Sequence, residues 1–140
     1  MPASDDETLR ELLSMTRIAV VGCSSTSGKA AHEIPAYLQR HGYEIYPVNP
    51  FADDVLGQPA VDSLADVEED IELVNVFRPT EEVPGIVEEI LDRKAAAGDI
   101  EALWLQLGIH DDEAVQAAED AVLQVVSDRC MKVEHQRLST

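Results

Sequence analysis

Short apolar runs alternate with amphipathic stretches along the whole chain. Four of these runs are continuous rather than alternating, which is typical of parallel strands buried on both faces. They occupy residues 18–21, 72–77, 102–105 and 123–127. A fifth strand is predicted at residues 44–48, where we expect Pro47-Val-Asn-Pro50 to stop it. The hydrophobic pattern therefore predicts five strands.

Helical periodicity fills most of the intervals between these strands. Ser4-Asp-Asp-Glu7 has the form of a capping box, and leucines at helical spacing follow it, so a helix is predicted at about residues 5–15. Further helices are predicted at 31–41, from 80 to about 96, and at 111–121, with a short helical turn at 63–66. Thr80 is expected to begin the helix that Gly98 ends, and Gly42 to end the helix before it.

Two segments fit this helical pattern less well. Pro35 is compatible with its predicted helix only in the first turn, because proline lacks the backbone N–H that later turns use. The last dozen residues show no clear periodicity, and we expect them to be irregular.

Alternating strands and helices with right-handed crossovers predict an α/β fold. We expect a Rossmann-like, doubly wound and mostly parallel five-stranded sheet with three layers, α/β/α. A length of 140 residues is typical of one domain, so residues 1–140 are predicted to form a single domain.

The net charge of the chain limits the kinds of partner that we expect it to bind. The chain has 28 acidic and 10 basic residues, a net charge of −18, which disfavours nucleic-acid binding because affinity for phosphate backbones needs clustered cations. No apolar run approaches the ~20 residues that a membrane span needs, and the acidic N-terminus lacks the features of a signal peptide. We therefore predict a cytoplasmic protein with no membrane partner. Such a surface repels itself unless salt screens it, which suggests a halophilic source.

The first strand leads into the loop Gly22-Cys-Ser-Ser-Thr-Ser-Gly-Lys29, a degenerate form of Gly-x-Gly-x-x-Gly. This loop is consistent with a phosphate cradle or with an ordinary turn between a strand and a helix. Lys29 favours an anionic ligand, since the chain has only three lysines, although it also fits a solvated surface. A P-loop is excluded because no Gly-Lys-Ser/Thr is present. Asn49 stands where NAD-binding domains carry an acid, which argues against NAD.

Ligands of such sheets bind outside the carboxyl ends of the strands. Phe77 and Arg78 follow one strand and are suited to stacking on a base and holding a phosphate, or to core packing and pairing with the next helix's acids. Gln106 and Gly108 are candidates at the next strand end, whereas Trp104 fits core packing better.

The C-terminal segment contains Cys130 and His135. They form a thiolate and base pair in one interpretation, and a buried thiol with a structural histidine in the other, which we favour. Two candidate ligands are too few for a zinc site, so no metal is expected.

Five motifs in order resemble the family of stand-alone CoA-binding domain proteins. They are Ile18-Ala-Val-Val-Gly-x-Ser24, Gly42-Tyr-x-x-x-Pro-Val-Asn-Pro50, Leu73-Val-x-Val-Phe-Arg78, Trp104-Leu-Gln-Leu-Gly108 and Asp128-Arg-Cys-x-Lys-x-Glu-His135. This family is similar to the CoA-binding domain of the succinyl-CoA synthetase α-subunit, and the resemblance covers about residues 7 to 138.

The resemblance implies that CoA or an acyl-CoA lies across the carboxyl edge of the sheet. It places the phosphates at the first loop, the adenosine part at the ends of the second and third strands, and pantetheine at the fourth. The implied binding residues are Gly22, Cys23, Ser24, Ser25, Lys29, Asn49, Pro50, Phe77, Arg78, Trp104, Gln106, Gly108, Arg129 and Cys130. The role of Arg129 and Cys130 is not implied.

These observations favour a CoA-binding protein without catalysis of its own. The alternatives are a CoA-binding subunit of an acyl-CoA ligase, an enzyme that uses the Cys130 thiol, and an NAD(H)-binding redox sensor. The sequence leaves open a homo-oligomer or a ligase partner subunit.

Overall fold

Residues 3–138 are described by the computed structural model of the chain. Its helices are α1 (Asp6–Leu13), α2 (Ala30–Arg40), α3 (Val83–Ala97), α4 (Asp112–Asp120) and α5 (Met131–Leu138). Its strands are β1 (Arg17–Val21), β2 (Glu44–Val48), β3 (Asp54–Val55), β4 (Gln58–Pro59), β5 (Leu73–Val76), β6 (Ala102–Leu105) and β7 (Gln124–Val126). Short 3-10 turns lie at Leu64–Asp66 and Thr80–Glu82.

Five of the strands form one parallel sheet with the order β2-β1-β5-β6-β7. Successive side chains of a strand point to opposite faces, so the sheet supports two hydrophobic cores. Val21 packs in the core with α3 and α4, whereas Val20 packs in the core with α1, α2 and α5. The predicted α/β/α fold is confirmed. No helix in residues 3–138 is long and apolar enough to cross a membrane.

The N-terminal helix is confirmed, but its capping residue differs from the prediction. Asp5, not Ser4, is the N-cap, and its carboxylate accepts a 2.9 Å hydrogen bond from the backbone N–H of Thr8. The buried Leu9 and Leu12 anchor this helix on the sheet. Because the Asp5 carboxylate accepts this N–H of the first turn, the helix begins at Asp6.

The condition stated for Pro35, a place in the first turn of its helix, is not met. Helix α2 begins at Ala30, which puts Pro35 in the second turn, where it is buried. Proline has no N–H to give to the carbonyl of Ala31, four residues earlier. The backbone N–H of Ser24 supplies that bond instead, at 2.9 Å. A tertiary hydrogen bond thus compensates for the proline.

Thr80 does not cap the following helix. It lies inside the 3-10 turn, and α3 begins only at Val83 with Glu82 as its N-cap. The predicted end is confirmed: Gly98 has φ +74° and donates its N–H to the carbonyl of Lys94. Glycine adopts this left-handed conformation without steric cost.

The C-terminal segment is a helix, not the irregular segment that was predicted. Met131 and Glu134 lie buried on one side of α5. Glu134 accepts hydrogen bonds of 2.9 Å from Arg129 and from Arg137, and Arg137 also pairs with Asp6. These local ion pairs, together with the pair to Asp6 in the N-terminal helix, stabilise a segment whose own hydrophobic pattern is weak.

The small hairpin of β3 and β4 was not predicted. Leu56 and Gly57 connect its strands with φ of +56° and +78°, the signs that a tight hairpin turn of the primed type requires. The strands have two residues each, too few to show the alternation from which strands are predicted.

Candidate functional site

A cleft of about 540 Å³ opens at the carboxyl ends of β1, β2 and β5. Seven of the predicted site residues line it: Gly22, Ser24, Lys29, Asn49, Pro50, Phe77 and Arg78. Three adjacent parallel strands end at the same edge, so residues far apart in sequence meet there. The remaining predicted residues do not line this cleft.

Hydrogen bonds made by Ser24 hold the loop after β1. Besides the bond from Ser24 to Ala31, the Ser24 carbonyl contacts Nδ1 of His32 at 2.7 Å, and the Ser24 hydroxyl accepts the N–H of Thr26 at 3.0 Å. Every polar group of Ser24 therefore has a partner within the protein. Ser24 fixes the shape of the loop, and its backbone N–H is not free to bind a ligand.

Gly22 is required where it stands. Its φ is +87°, and a Cβ built there would lie 2.7 Å from Cδ of Arg78 and 3.2 Å from the carbonyl oxygen of Phe77. The aliphatic part of Arg78 therefore crosses directly over the glycine. This close approach positions the guanidinium of Arg78 in the cleft.

Asn49 links the β1 and β2 ends of the cleft. Its amide nitrogen donates to the carbonyl of Cys23 at 2.9 Å, and its amide oxygen accepts the backbone N–H of Phe51 at 2.8 Å. Asn49 is thus a brace between two loops. Phe51, which the sequence analysis did not select, lines the cleft with its side chain 93% exposed. The sequence places an aromatic residue after Asn49-Pro50 but does not show that its side chain is exposed.

Charges of both signs line the cleft. Lys29 is exposed and has no ion pair among residues 3–138. Arg78 donates to both carboxylate oxygens of Glu82, at 3.2 and 2.7 Å, and this bonding lowers the pKa of Glu82. Asp62 and Glu89 also line the cleft. A ligand with several negative charges meets one free cation and one that is already paired.

Cys23 and Ser25 belong to the first loop but not to the cleft surface. Cys23 is fully buried, and burial raises the pKa of its thiol to about 12. Ser25 is exposed outside the cleft lining. Cys23 packs in the core and offers no thiolate near neutral pH.

The predicted residues at the end of β6 lie outside the cleft. Trp104 is fully buried and donates its indole N–H to the carbonyl of Arg129 at 2.9 Å, so it presents no surface to a ligand. Gln106 is 7% exposed, and its side-chain oxygen has no hydrogen-bond partner. Gly108 is exposed and donates its N–H to the carboxylate of Asp128 at 2.6 Å.

The C-terminal residues are held in a separate structural cluster. Arg129 pairs with Glu134, and Cys130 is partly buried against the core under α1, α2 and α5. His135 bonds through Nδ1 to the Tyr37 hydroxyl at 2.7 Å rather than to the Cys130 thiol. Burial lowers the pKa of His135. The arrangement supports the structural interpretation of this motif.

One polar cluster was missed by the sequence analysis. His110 contacts the Ser127 hydroxyl through Nδ1 at 2.8 Å and the Asp112 carboxylate through Nε2 at 2.5 Å. The backbone N–H of Asp128, the residue after Ser127, donates to the carbonyl of Ile109. It is therefore not free to stabilise an oxyanion that attack by the Ser127 hydroxyl would form. The cluster joins the loops after β6 and β7. His110 and Ser127 are 17 residues apart, so no local pattern shows that they meet.

Metal binding finds no support in the described part of the chain. Within residues 3–138, no group of three or more His, Cys, Asp or Glu side chains is placed to hold a metal ion.

Known proteins are similar to this chain in sequence and in fold. The Bacillus subtilis (strain 168) protein "Uncharacterized protein YneT" is 40% identical over 128 residues, which is 91% of each chain. An acetate–CoA ligase (ADP-forming) of Methanocaldococcus jannaschii is 38% identical over 72 residues, 51% of this chain but only 10% of the ligase. A solved structure of a hypothetical protein from Pyrococcus horikoshii OT3 has a TM-score of 0.91 and 34% identity, covering 100% of this chain and 97% of that one.

A family model described as "CoA binding domain" matches residues 16–136. That match includes the whole parallel sheet and every residue named as lining the cleft. Together with the 40% identical relative, it shows that this chain belongs to the CoA-binding domain family.

Proposed function

We propose that the chain binds CoA or an acyl-CoA in the cleft at the carboxyl ends of β1, β2 and β5, without catalysis of its own. The observation that carries the proposal is the placement of Lys29 and Arg78 in one cleft of a chain that has few cations. The family match supports CoA as the ligand class. Residues 1–140 act in this proposal as one domain.

The phosphates of CoA account for the cations. They carry about four negative charges, since a terminal phosphate has a second pKa near 6. Lys29 precedes α2, a helix of 11 residues, so its ammonium and the helix N-terminus act on the same phosphate. Arg78 provides a planar pair of donors for a second phosphate.

Binding through Arg78 competes with an ion pair. The guanidinium is paired with Glu82, so a phosphate that binds Arg78 shares its charge with that carboxylate. The Glu82→Gln variant keeps the side-chain size but removes the charge. It is expected to bind CoA several-fold more tightly, because Arg78 is then released from its ion pair.

Pantetheine is proposed to extend along the sheet edge toward the end of β6. The unpartnered oxygen of Gln106 supports this direction, because a buried amide oxygen without a donor is costly and pantetheine carries two amide N–H groups. Gly108 allows a close approach of the chain. Ser25, Arg129 and Cys130 have no assigned role, and Trp104 and Cys23 support the site from the core.

A second candidate is a CoA-binding subunit that acts with a separate ligase subunit. It is favoured by the similarity to a segment of acetate–CoA ligase, although this chain matches only 10% of that relative's length. Co-purification of a ligase subunit with the tagged chain would support it. A cytoplasmic location and a halophilic source stay predictions from the acidic sequence.

Calorimetric titration of CoA in ~2 M KCl, where surface charge is screened, tests the proposal. Dephospho-CoA and NAD serve as comparison ligands. Saturable binding of CoA that weakens about tenfold or more in Lys29→Ala and in Arg78→Ala is expected, with Lys132→Ala on α5 as the matched control. No CoA binding, or equal losses in all three variants, would contradict the proposed site. Tighter binding of NAD than of CoA would favour the redox-sensor alternative.

A further inference from the structure

Phe51 is exposed in an unusual place. The four large apolar side chains recorded as exposed in residues 3–138 are Phe51, Leu107, Val122 and Val133, with exposed fractions of 93%, 65%, 85% and 52%. Only Phe51 among these four lines the cleft. A single exposed apolar side chain is common on protein surfaces, but this ring lines the same cleft as Lys29 and Arg78, so a nucleotide bound there has an aromatic surface available to its base.

The turn that carries Phe51 is fixed by hydrogen bonds. The backbone N–H of Phe51 donates to the side chain of Asn49, whose own amide group is bonded to Cys23 in the neighbouring loop. Asn49 also donates its backbone N–H to Val61 at 2.8 Å. The ring is therefore presented on a braced support, which limits the ordering cost of binding.

We infer that the ring of Phe51 is the stacking platform for the adenine base of the bound nucleotide. This inference rests on the proposed function, because the phosphates at Lys29 and Arg78 bring the base of the same ligand to the cleft rim. An aromatic ring stacks on any base, since every base has a π-face, so the platform supplies affinity rather than a choice between bases. Phe77, the other aromatic in the cleft, is partly buried against the core and forms a wall instead.

Two ligands separate the base from the rest of CoA. CoA itself contains adenine, whereas 4′-phosphopantetheine lacks the whole adenosine part. Phe51→Ala is expected to weaken CoA binding about tenfold, within the range measured for loss of one stacked base. Its affinity for 4′-phosphopantetheine should equal that of the unaltered protein. Phe51→Trp should retain CoA binding, and Phe51→Leu, which is apolar but not aromatic, should not.

Val122→Ala is the matched control, because it removes another exposed apolar side chain at the opposite edge of the sheet, before β7. Equal CoA affinity in Phe51→Ala and the unaltered protein would overturn this inference while leaving the proposed function intact. Equal losses for both ligands, or full retention in Phe51→Leu, would also overturn it. Absence of any CoA binding by the unaltered protein would overturn the proposed function itself, and the platform with it.

Discussion

The backbone N–H of Ser24 donates to the carbonyl oxygen of Ala31 across 2.9 Å, and this bond joins the first loop to helix α2. The carbonyl is available because Pro35, four residues later, has no N–H to offer it. A residue that disfavours a helix thus helps to fix the loop on which Lys29 is carried.

Replacing Pro35 with alanine should therefore have opposite effects on the helix and on the loop. Proline in a helix interior is less favourable than alanine by about 3 kcal/mol, so Pro35→Ala should raise the free energy of unfolding by up to that amount. The new N–H competes for the Ala31 carbonyl, so the Ser24 amide should exchange its hydrogen faster. Amide exchange measured by NMR tests this. Unchanged protection at Ser24 would show that the proline does not determine the bond.

The contact of Gly22 with Arg78 leads to a second prediction. Gly22→Ala places a Cβ only 2.7 Å from Cδ of Arg78, at a φ of +87° that alanine disfavours by about 1–2 kcal/mol. Both stability and CoA affinity should fall. Gly42→Ala is the control, because Gly42 has φ +93° with nothing within 4 Å of the added Cβ. It should lose less stability than Gly22→Ala, because it has the conformational cost without the clash, and it should lose no affinity. Equal affinity losses in both variants would disprove the role given to Arg78.

A buried arginine carries a third prediction. Arg93 donates to the backbone carbonyls of Leu64 and Val67 at 2.6 Å each and forms a 2.9 Å ion pair with Asp99. Both side chains of the pair are 7% exposed. Burial acts to raise the pKa of Asp99, but hydrogen bonds from Arg93 and from the backbone N–H of Ile71 outweigh it and lower that pKa.

Arg93→Ala leaves Asp99 as a buried charge without its cation and removes a donor from the carbonyls of Leu64, Val67 and Glu69, so it should reduce the free energy of unfolding by about 3–5 kcal/mol. Urea unfolding followed by circular dichroism provides the value. Arg40→Ala, at an exposed position in α2, should change it by less than about 0.5 kcal/mol. A loss for Arg93→Ala as small as that for Arg40→Ala would contradict the structural role.

His135 leads to a prediction about pH. Burial, and then the nearby His41, lower the pKa of His135 below its ordinary value of 6.5. The unfolded chain therefore takes up the proton first, so the stability from neutral His135 is present above about pH 6.5 and is lost as the pH falls through the lower, folded-state pKa.

The difference in unfolding free energy between the unaltered protein and His135→Gln should consequently be larger at pH 8 than at pH 5. Urea unfolding at both values measures it. A difference that is constant, or that grows toward pH 5, would show that His135 is not held neutral against Tyr37.

The sequence was sufficient where structure follows from local pattern. The buried strands and the order of elements could be read because continuous apolar runs predict parallel strands. The strand-end rule likewise selected Gly22, Lys29, Asn49 and Arg78, which line one cleft. Helix α5 could not be predicted, because its stability comes from Arg129, Arg137 and distant partners rather than from periodicity.

The site was harder to predict because the direction of a side chain depends on packing. Trp104 and Gln106 follow the same strand pattern as the cleft residues, yet Trp104 turns into the core and Gln106 is nearly buried. The sequence pattern also did not show that the backbone N–H of Ser24 is bonded to the carbonyl of Ala31, because that bond depends on Pro35, eleven residues away. Phe51 was not selected because the sequence does not show which apolar side chains are exposed.

The most direct test of the account is to follow every backbone amide resonance by NMR while CoA is added to the unaltered protein. We expect saturable shifts concentrated at the carboxyl edge, in the loops that contain Lys29, Asn49, Phe51 and Arg78, with little change at the opposite edge near Gly42 and Val122. No shifts at saturating CoA, or shifts centred on the opposite edge, would contradict the central claim that this cleft is the CoA site.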